Sequence, residues 1–473
     1  MARTTYDVDL AVIGGGTAGL VGAQTAAGLG ARVVLIEERR TGGDCLYTGC
    51  VPSKALLAAG SAAATARGAA RLGVEVGAVS VDFRRVMRHV RAAIAHIEPV
   101  DSPEALEAAG VSVVQGHARV VQGGVGVGGR TITARHVLIA TGSDPSVPDI
   151  PGIGGVPVLT NENLWDLDVL PRELVILGGG PVGCELAQAF ARLGCSVTIV
   201  HRGERLLPRE DPEASTILAA ALGDDGVRIV LEDTAVAVAA HRSGGGRVTT
   251  ASGLELPFTH LLAAVGRTPR SAGLGLEEAG VALDDAGFVV TDRHLRTSTP
   301  GVWAAGDVTD HPRYTHTAGV HASIAAGNAI LGPLRKVSRI EPPRVTFTDP
   351  EIAAVGAPTG RGGTEQTVPH THQDRAVTEQ RMEGFTRLVF DRRGRIIGGT
   401  IVGPRAGESL GEVCLAVRRR LPATVVAGTT HPYPTHSDAV WNAAISQTRK
   451  VLARPWILAA GRLARRLQQH RTG

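Results

Sequence analysis

Asp9-Leu-Ala-Val-Ile-Gly-Gly-Gly-Thr-Ala-Gly19 is the stretch that decides the fold. Asp9 to Ile13 is a short apolar run suited to a buried parallel strand. Gly14, Gly16 and Gly19 then spell G-x-G-x-x-G. A helix-compatible stretch follows, and a second strand, Arg32 to Ile36, ends at Glu37. This is the strand–turn–helix–strand context that a dinucleotide fingerprint requires. The glycines let the backbone approach a pyrophosphate at the helix N-terminus, where unpaired N–H groups and the helix dipole favour negative charge. Glu37 can accept hydrogen bonds from a ribose diol.

The pattern recurs. Leu174 to Leu177 reads as a strand, Gly178, Gly180 and Gly183 repeat the fingerprint, and Ser196 to Val200 is the next strand, ending at His201. Gly14 to Glu37 spans 23 positions and Gly178 to His201 also spans 23, so the two units are in register. The second carries His where the first carries Glu. A further echo lies downstream: His136-Val-Leu-Ile-Ala-Thr-Gly142 resembles His260-Leu-Leu-Ala-Ala-Val-Gly266. Each is an apolar strand closing on a glycine turn. One glycine motif is weak evidence; two in register, each with its matching strand, point to a duplicated nucleotide fold.

Size and composition agree. The 473 residues are 43% hydrophobic and 20% charged, enough for two to four domains. The net charge is +4, aromatics are 3%, and no basic block is interleaved with stacking rings. Nucleic acid is therefore not an expected partner. Leu10 to Ala31 is apolar enough to mimic a membrane span, but Gly14, Gly15, Gly16, Gly19 and Gly22 break it. Met1 to Asp7 has no basic region leading into an apolar core, so no targeting segment is read there. Five cysteines in a long chain do not form a secreted disulfide framework, and the cytoplasm is the expected location.

Two of those cysteines stand apart, in Gly42-Gly-Asp-Cys-Leu-Tyr-Thr-Gly-Cys-Val-Pro-Ser-Lys54. On an ideal helix, five residues separate Cα atoms by over about 7 Å. A disulfide wants roughly 4.4–6.8 Å, so a bridge needs a distorted turn, which Gly49 can provide. Pro52 suits a helix start, placing Cys50 near an N-terminus with Lys54 one turn on; both features favour a thiolate. Zinc is the rival reading, but it needs three or four short-spaced ligands, and no second pair is near; no metal site is expected. Cys184, Cys195 and Cys414 sit in apolar contexts and read as ordinary buried thiols. The chain has only three lysines, Lys54, Lys336 and Lys450, which makes the one beside the cysteines suggestive.

At this point the chain resembles the class I pyridine nucleotide-disulfide oxidoreductases, which include glutathione reductase, dihydrolipoamide dehydrogenase and mercuric reductase. The resemblance runs from about Asp7 to about Ala444. Gly42 to Lys54 looks like the redox-active signature, Ala305-Gly306-Asp307 like the second FAD motif, and Val345-Thr-Phe-Thr-Asp-Pro-Glu351 like the opening of a dimerisation domain. It implies an α/β fold with two Rossmann-like FAD- and NAD(P)-binding domains plus a C-terminal α+β dimerisation domain. The expected layout is an FAD domain at 1–150 and 268–335, a nucleotide domain at 151–267, a dimerisation domain at 340–455 and a tail at 456–473. Cys50 would face the flavin as charge-transfer thiol and Cys45 would meet the substrate. Lys54 would lie near the flavin, paired with Glu185. Gly14, Gly16, Gly19, Glu37, Thr141, Gly142, Gly306 and Asp307 would hold FAD. Gly178, Gly180, Gly183, Gly266 and the residues after Val200 would hold the nicotinamide nucleotide. With His201 in place of a carboxylate and Arg202 and Arg205 following, NADPH is favoured over NADH.

The C-terminal segment departs from the pattern. Where glutathione reductase and dihydrolipoamide dehydrogenase carry His-Pro-Thr followed by Glu, this chain reads Tyr433-Pro-Thr-His-Ser-Asp438. Tyr433 replaces the acid/base His supplied by the partner subunit, and Asp438 replaces Glu. A phenol with an unperturbed pKa of about 10 is a poor base at neutral pH. His431 and His436 flank the position and are candidate substitutes. A Tyr here is similar to mercuric reductase, but no cysteine pair follows Cys414. The expected activity is electron transfer from NADPH through FAD and a Cys45–Cys50 disulfide to a disulfide or thiol-bound metal substrate, in a homodimer. The alternatives are a diaphorase reducing quinones directly and a redox or metal sensor. Pro455 to Leu467 reads as a helix packed on the dimer, with a membrane-surface helix as the lesser alternative; membrane association is not expected.

Overall fold

The computed structural model describes residues 6–242, 244–358 and 363–469. By its internal contacts the chain divides into two units. One comprises residues 1–68, 76–202 and 226–339; the other comprises 69–75, 203–225 and 340–473.

The first unit is built on the opening strand, Val8–Ile13, which lies mid-sheet. It pairs in parallel with Val33–Glu37 on one side and Arg130–Ile139 on the other, in the registers Leu10↔Val33 and Leu10↔His136. Val111–Gln115 extends the sheet beyond the second strand, and Val302–Ala304 adds in parallel to Arg130–Ile139. Successive side chains of a strand point to opposite faces, so a strand covered on both sides must be apolar throughout. Leu10, Val12, Leu35 and Leu138 pack with the alanine-rich Thr17–Gly28 and Thr315–Leu331 helices. Ala11, Ile13, Val34, Ile36 and Ile139 fill the opposite core with Val120, Val125, Leu274 and Val289.

The same construction repeats. Glu173–Leu177 pairs in parallel with Ser196–Val200 and with His260–Ala263, within a five-stranded sheet completed by Arg228–Val230 and Val158–Leu159. The two glycine turns are alike in backbone detail. Gly14 and Gly178 have φ of +103° and +116°, in the left-handed region open to glycine. A Cβ on Gly19 would fall 1.8 Å from the Gly14 carbonyl oxygen, and one on Gly183 would fall 2.0 Å from that of Gly178. The duplication read from the sequence is therefore present in the chain path, the strand pairing and the turn geometry.

The second unit holds a five-stranded antiparallel sheet in the order Arg344–Thr346, Glu351–Gly356, Ile396–Gly403, Phe385–Phe390, Thr364–Pro369. The Ala406–Arg419 and Asp438–Leu452 helices bury Leu410, Val413, Val417, Val440 and Ala443 against Ala353, Val355, Leu388, Phe390 and Ile401. The fold is thus α/β with a C-terminal α+β unit.

Small residues set how closely the first helix lies on its sheet. A Cβ on Gly22 would lie 2.5 Å from Cδ2 of the fully buried Leu138, whereas one on Gly28 meets nothing within 4 Å. Replacing a mid-helix glycine by alanine normally gains about 0.5–1 kcal/mol. Overpacking a filled core costs about 1–3 kcal/mol, so the loss should win at Gly22. Gly22→Ala is expected to lower the thermal midpoint and Gly28→Ala to hold or raise it, as read by calorimetry.

Candidate functional site

The cysteines sit where the chain changes helix. Cys45 lies in the short Gly43–Tyr47 helix and Cys50 begins the Cys50–Arg67 helix. Thr48 and Gly49 break the helical path between them, Gly49 at φ −123° and ψ −107°. A Cβ on Gly49 would fall 2.8 Å from the Asp44 carbonyl oxygen. Gly49 thus supplies the distorted turn, and the helix starts at Cys50 itself rather than at Pro52. Both thiols are free and half-buried, and each shifts the protonation of the other.

Their protons are held unequally. The hydrogen bond from Cys45, followed by those features of its surroundings that favour an anion, the Thr315 hydroxyl 3.2 Å away and the Lys54 ammonium, outweighs burial and lowers the Cys50 pKa to about 6. The Cys45 thiol is pushed strongly upward by its hydrogen bond to Cys50 and by burial. The surroundings thus favour the anion on Cys50 and the proton on Cys45. Cys184, Cys195 and Cys414 are all shifted upward by burial, as inert thiols are.

Lys54 Nζ lies 2.8 Å from Oε2 of Glu185, on the Pro181–Leu193 helix that follows the second glycine turn. Glu185 is 6% exposed. Thr315 could not be found from the sequence, since it lies 265 positions from Cys50 in an undistinguished segment.

The first glycine turn fits a bound dinucleotide such as FAD. Gly16 caps the Thr17–Gly28 helix with no side-chain hydrogen bond, which leaves its N–H groups to phosphate. Glu37 Oε2 accepts from the Gly15 N–H at 2.5 Å and Oε1 from the Arg39 N–H at 2.7 Å. Thr141 donates to the Arg270 carbonyl at 2.7 Å, and Gly142 adopts φ +76°. Gly306, at φ +81°, lies over Ala18 and precedes Asp307. Burial raises the Asp307 pKa, with Arg267 opposing. Arg267 directly follows Gly266 and escaped the sequence reading. Its guanidinium binds Asp44, next to Cys45, donates from Nε to Ser143 Oγ at 2.7 Å and lies 3.8 Å from Asp307.

The second turn repeats the arrangement with one change. The Gly179 N–H donates to His201 Nδ1 at 3.2 Å, as the Gly15 N–H does to Glu37. Nδ1 must be unprotonated to accept, so His201 is a neutral acceptor and not a carboxylate. Gly180 caps its helix without a side-chain bond, with open space around its Cα. Arg202 is exposed. Arg205 turns back to Glu204 at 2.8 Å and to the Pro208 carbonyl at 3.1 Å.

The two segments described belong to one recognisable sequence pattern. The family described as pyridine nucleotide-disulphide oxidoreductase matches residues 8–322, and its dimerisation domain matches residues 342–444. The chain belongs to the pyridine nucleotide-disulphide oxidoreductases. It is 36% identical to a mercuric reductase from Streptomyces lividans, over 95% of this chain and 98% of that one. It is 32% identical to dihydrolipoyl dehydrogenase 3 from Haloarcula marismortui, again over 95% and 98%. The solved structure of LpdA from Mycobacterium tuberculosis superposes with a TM-score of 0.86 at 30% identity, covering 94% of this chain and 100% of that one. As members of this family do, the oxidoreductase uses FAD with NAD(P)H as electron donor.

In this oxidoreductase the C-terminal candidates each have their own partner in the second unit. Tyr433 is 66% exposed and donates to Asp374, which raises the phenol pKa further. His431 Nε2 lies 2.8 Å from Glu412, with its ring stacked on Trp441. His436 Nε2 lies 3.1 Å from Glu379. Asp438 accepts from the Thr435 N–H at 2.9 Å and from its hydroxyl at 3.0 Å. Asp438 therefore ties down the Thr435 turn just ahead of its helix and has no hydrogen bond to Tyr433. Among the described residues no group of three or more His, Cys, Asp and Glu side chains is set to hold a metal ion, and no helix is long and apolar enough to cross a membrane.

The thiolate assignment has a signed pH dependence. Cys50 is anionic above about pH 6 and protonated below it. Thr315 and Lys54 lower its pKa, whereas Glu185 raises it. Losing a hydrogen bond to a charged group costs about 1.5–3 kcal/mol, or one to two pH units. Thr315→Val and Lys54→Met should both move the thiolate titration of the reduced enzyme upward, and Glu185→Gln downward, followed by thiolate absorbance.

Proposed function

We propose that the protein is an NADPH-dependent reductase of soft, thiol-bound metal ions, with Cys45 and Cys50 as the redox pair. The observation that carries this reading is the lining of the site: Cys50 at a helix start beside the Thr315 hydroxyl and near Lys54, and a tyrosine where a histidine base would stand at position 433. A disulfide substrate requires Cys45 to attack as a thiolate, so a base must first take its proton. Tyr433, its hydroxyl given to Asp374, is poorly suited to that task. A thiophilic metal ion needs no such base, because coordination to sulfur displaces the thiol proton directly.

Bound FAD would supply the two-electron relay between nicotinamide and the cysteine pair. Cys50, kept anionic by Thr315 and Lys54, would face it. Cys45 would receive the substrate. Glu185 holds the Lys54 ammonium, and Arg267 holds Asp44 beside Cys45. The overall reaction balances as one divalent ion and one NADPH giving the elemental metal, NADP+ and one proton. NADPH is preferred because His201, a neutral acceptor, replaces the carboxylate that would repel a 2′-phosphate, and Arg202 follows it on the surface. The matched dimerisation domain and the family's architecture support a homodimer in which Tyr433 of one protomer serves the cysteines of its partner. The dependence on a reduced pair supports a cytoplasmic setting. The mercuric reductase relative supports the metal reading.

The test is NADPH oxidation by the holoenzyme with mercuric thiolate, oxidised glutathione or lipoamide as acceptor. Mercuric thiolate should be the fastest, and Cys45→Ser should lower its rate roughly 100-fold or more. Faster turnover of either disulfide would overturn the reading.

A further inference from the structure

The +4 net charge of the chain is not spread over the molecule. Residues 439–473 hold Arg449, Lys450, Arg454, Arg462, Arg465, Arg466 and Arg471 and no Asp or Glu. The first 438 residues therefore carry a net −3, and the basic character resides entirely in the C-terminal segment. That segment runs past the matched dimerisation domain, which ends at residue 444.

Its last helix, Pro455–Gln469, buries no residue. Trp456, Ala460, Leu463 and Leu467 recur at helical spacing and make one apolar face. Trp456, Leu463 and Leu467 are 66%, 61% and 59% exposed. Arg466 flanks that face, and Arg462 and Arg465 lie behind it, with the exposed Leu458 between them. Arg449, Lys450 and Arg454 are exposed just upstream. A helix of this length spans about 22 Å, too short to cross a bilayer but suited to lie in its surface.

We propose that this helix docks the enzyme on anionic lipid surfaces, with Trp456, Leu463 and Leu467 in the acyl boundary and the arginines among the headgroups. Charge selects this occupant over a second copy of the helix. Two copies joined along this face would bring their flanking Arg466 side chains to the seam, with no Asp or Glu in residues 439–473 to pair with them, and like charges repel. An anionic leaflet supplies the missing counter-charge and attracts each exposed Arg and Lys. A surface-lying helix needs both an apolar face and a basic one, and this segment has both.

The experiment is co-sedimentation of the full-length holoenzyme with vesicles of phosphatidylcholine alone or with about a third phosphatidylglycerol. At least about tenfold more enzyme is expected on the anionic vesicles, falling as salt is added. Leu463→Gln with Leu467→Gln, and separately Arg462→Gln, Arg465→Gln and Arg466→Gln together, should each abolish that preference. All these positions are exposed, so FAD content, NADPH turnover in solution and dimer mass should be unchanged. Equal partition of the wild-type enzyme on both vesicles would overturn the proposal. So would variants that dissociate the dimer and leave vesicle binding intact, which would assign the face to a second copy.

Discussion

The close approach of two backbones at Gly16 and Gly43 is the constraint on which the rest of the site depends. A Cβ on Gly43 would fall 2.6 Å from the Gly16 Cα, and the Gly42 N–H donates to the Gly15 carbonyl at 2.9 Å. The loop that carries the cysteines is thereby pressed onto the phosphate-binding turn without an intervening side chain. From there the Cys50–Arg67 helix runs to the second nucleotide fold, where a Cβ on Gly60 would come within 3.3 Å of the Ala189 Cα. Glu185 reaches Lys54 from that same second helix. One helix, fixed at its start by the first glycine turn and along its length by the helix of the second, holds the redox sulfur against both nucleotide-binding halves.

That placement also sets the chemistry. Cys50 opens its helix, so its sulfur lies at the positive end of the helix dipole, with the Thr315 hydroxyl and the Lys54 ammonium adding to the same effect. The thiolate is made by fixed groups of its own unit and needs no proton acceptor from the C-terminal segment. The proton on Cys45 is a separate matter, and the Asp438 carboxylate is given to Thr435, just ahead of its own helix.

Much of this was legible in the sequence because the determinants are local. The glycine turns announce themselves, since backbone approach and positive φ admit almost nothing else at Gly14, Gly19 and Gly43. The strands between them are read from apolar runs covered on both faces. The pairing of Lys54 with Glu185 followed from a family resemblance, not from spacing. Thr315 and Arg267 were not legible. Each acts through a long-range contact, 265 positions from Cys50 and 223 from Asp44, and neither stands in a pattern that marks it. The partners of Tyr433, His431 and His436 were equally hidden, because Asp374, Glu412 and Glu379 come from elements that only the folded antiparallel sheet brings near.

The central claim is that the Cys45–Cys50 pair is in electronic contact with the flavin through a thiolate at Cys50. Anaerobic titration of the purified holoenzyme with NADPH, followed through the visible spectrum, tests it most directly. A long-wavelength absorbance from the thiolate beside the flavin, complete at two electrons per subunit and lost below about pH 6, is the predicted result. Bleaching of the flavin with no such band would contradict it and would make the cysteines bystanders to the redox chemistry.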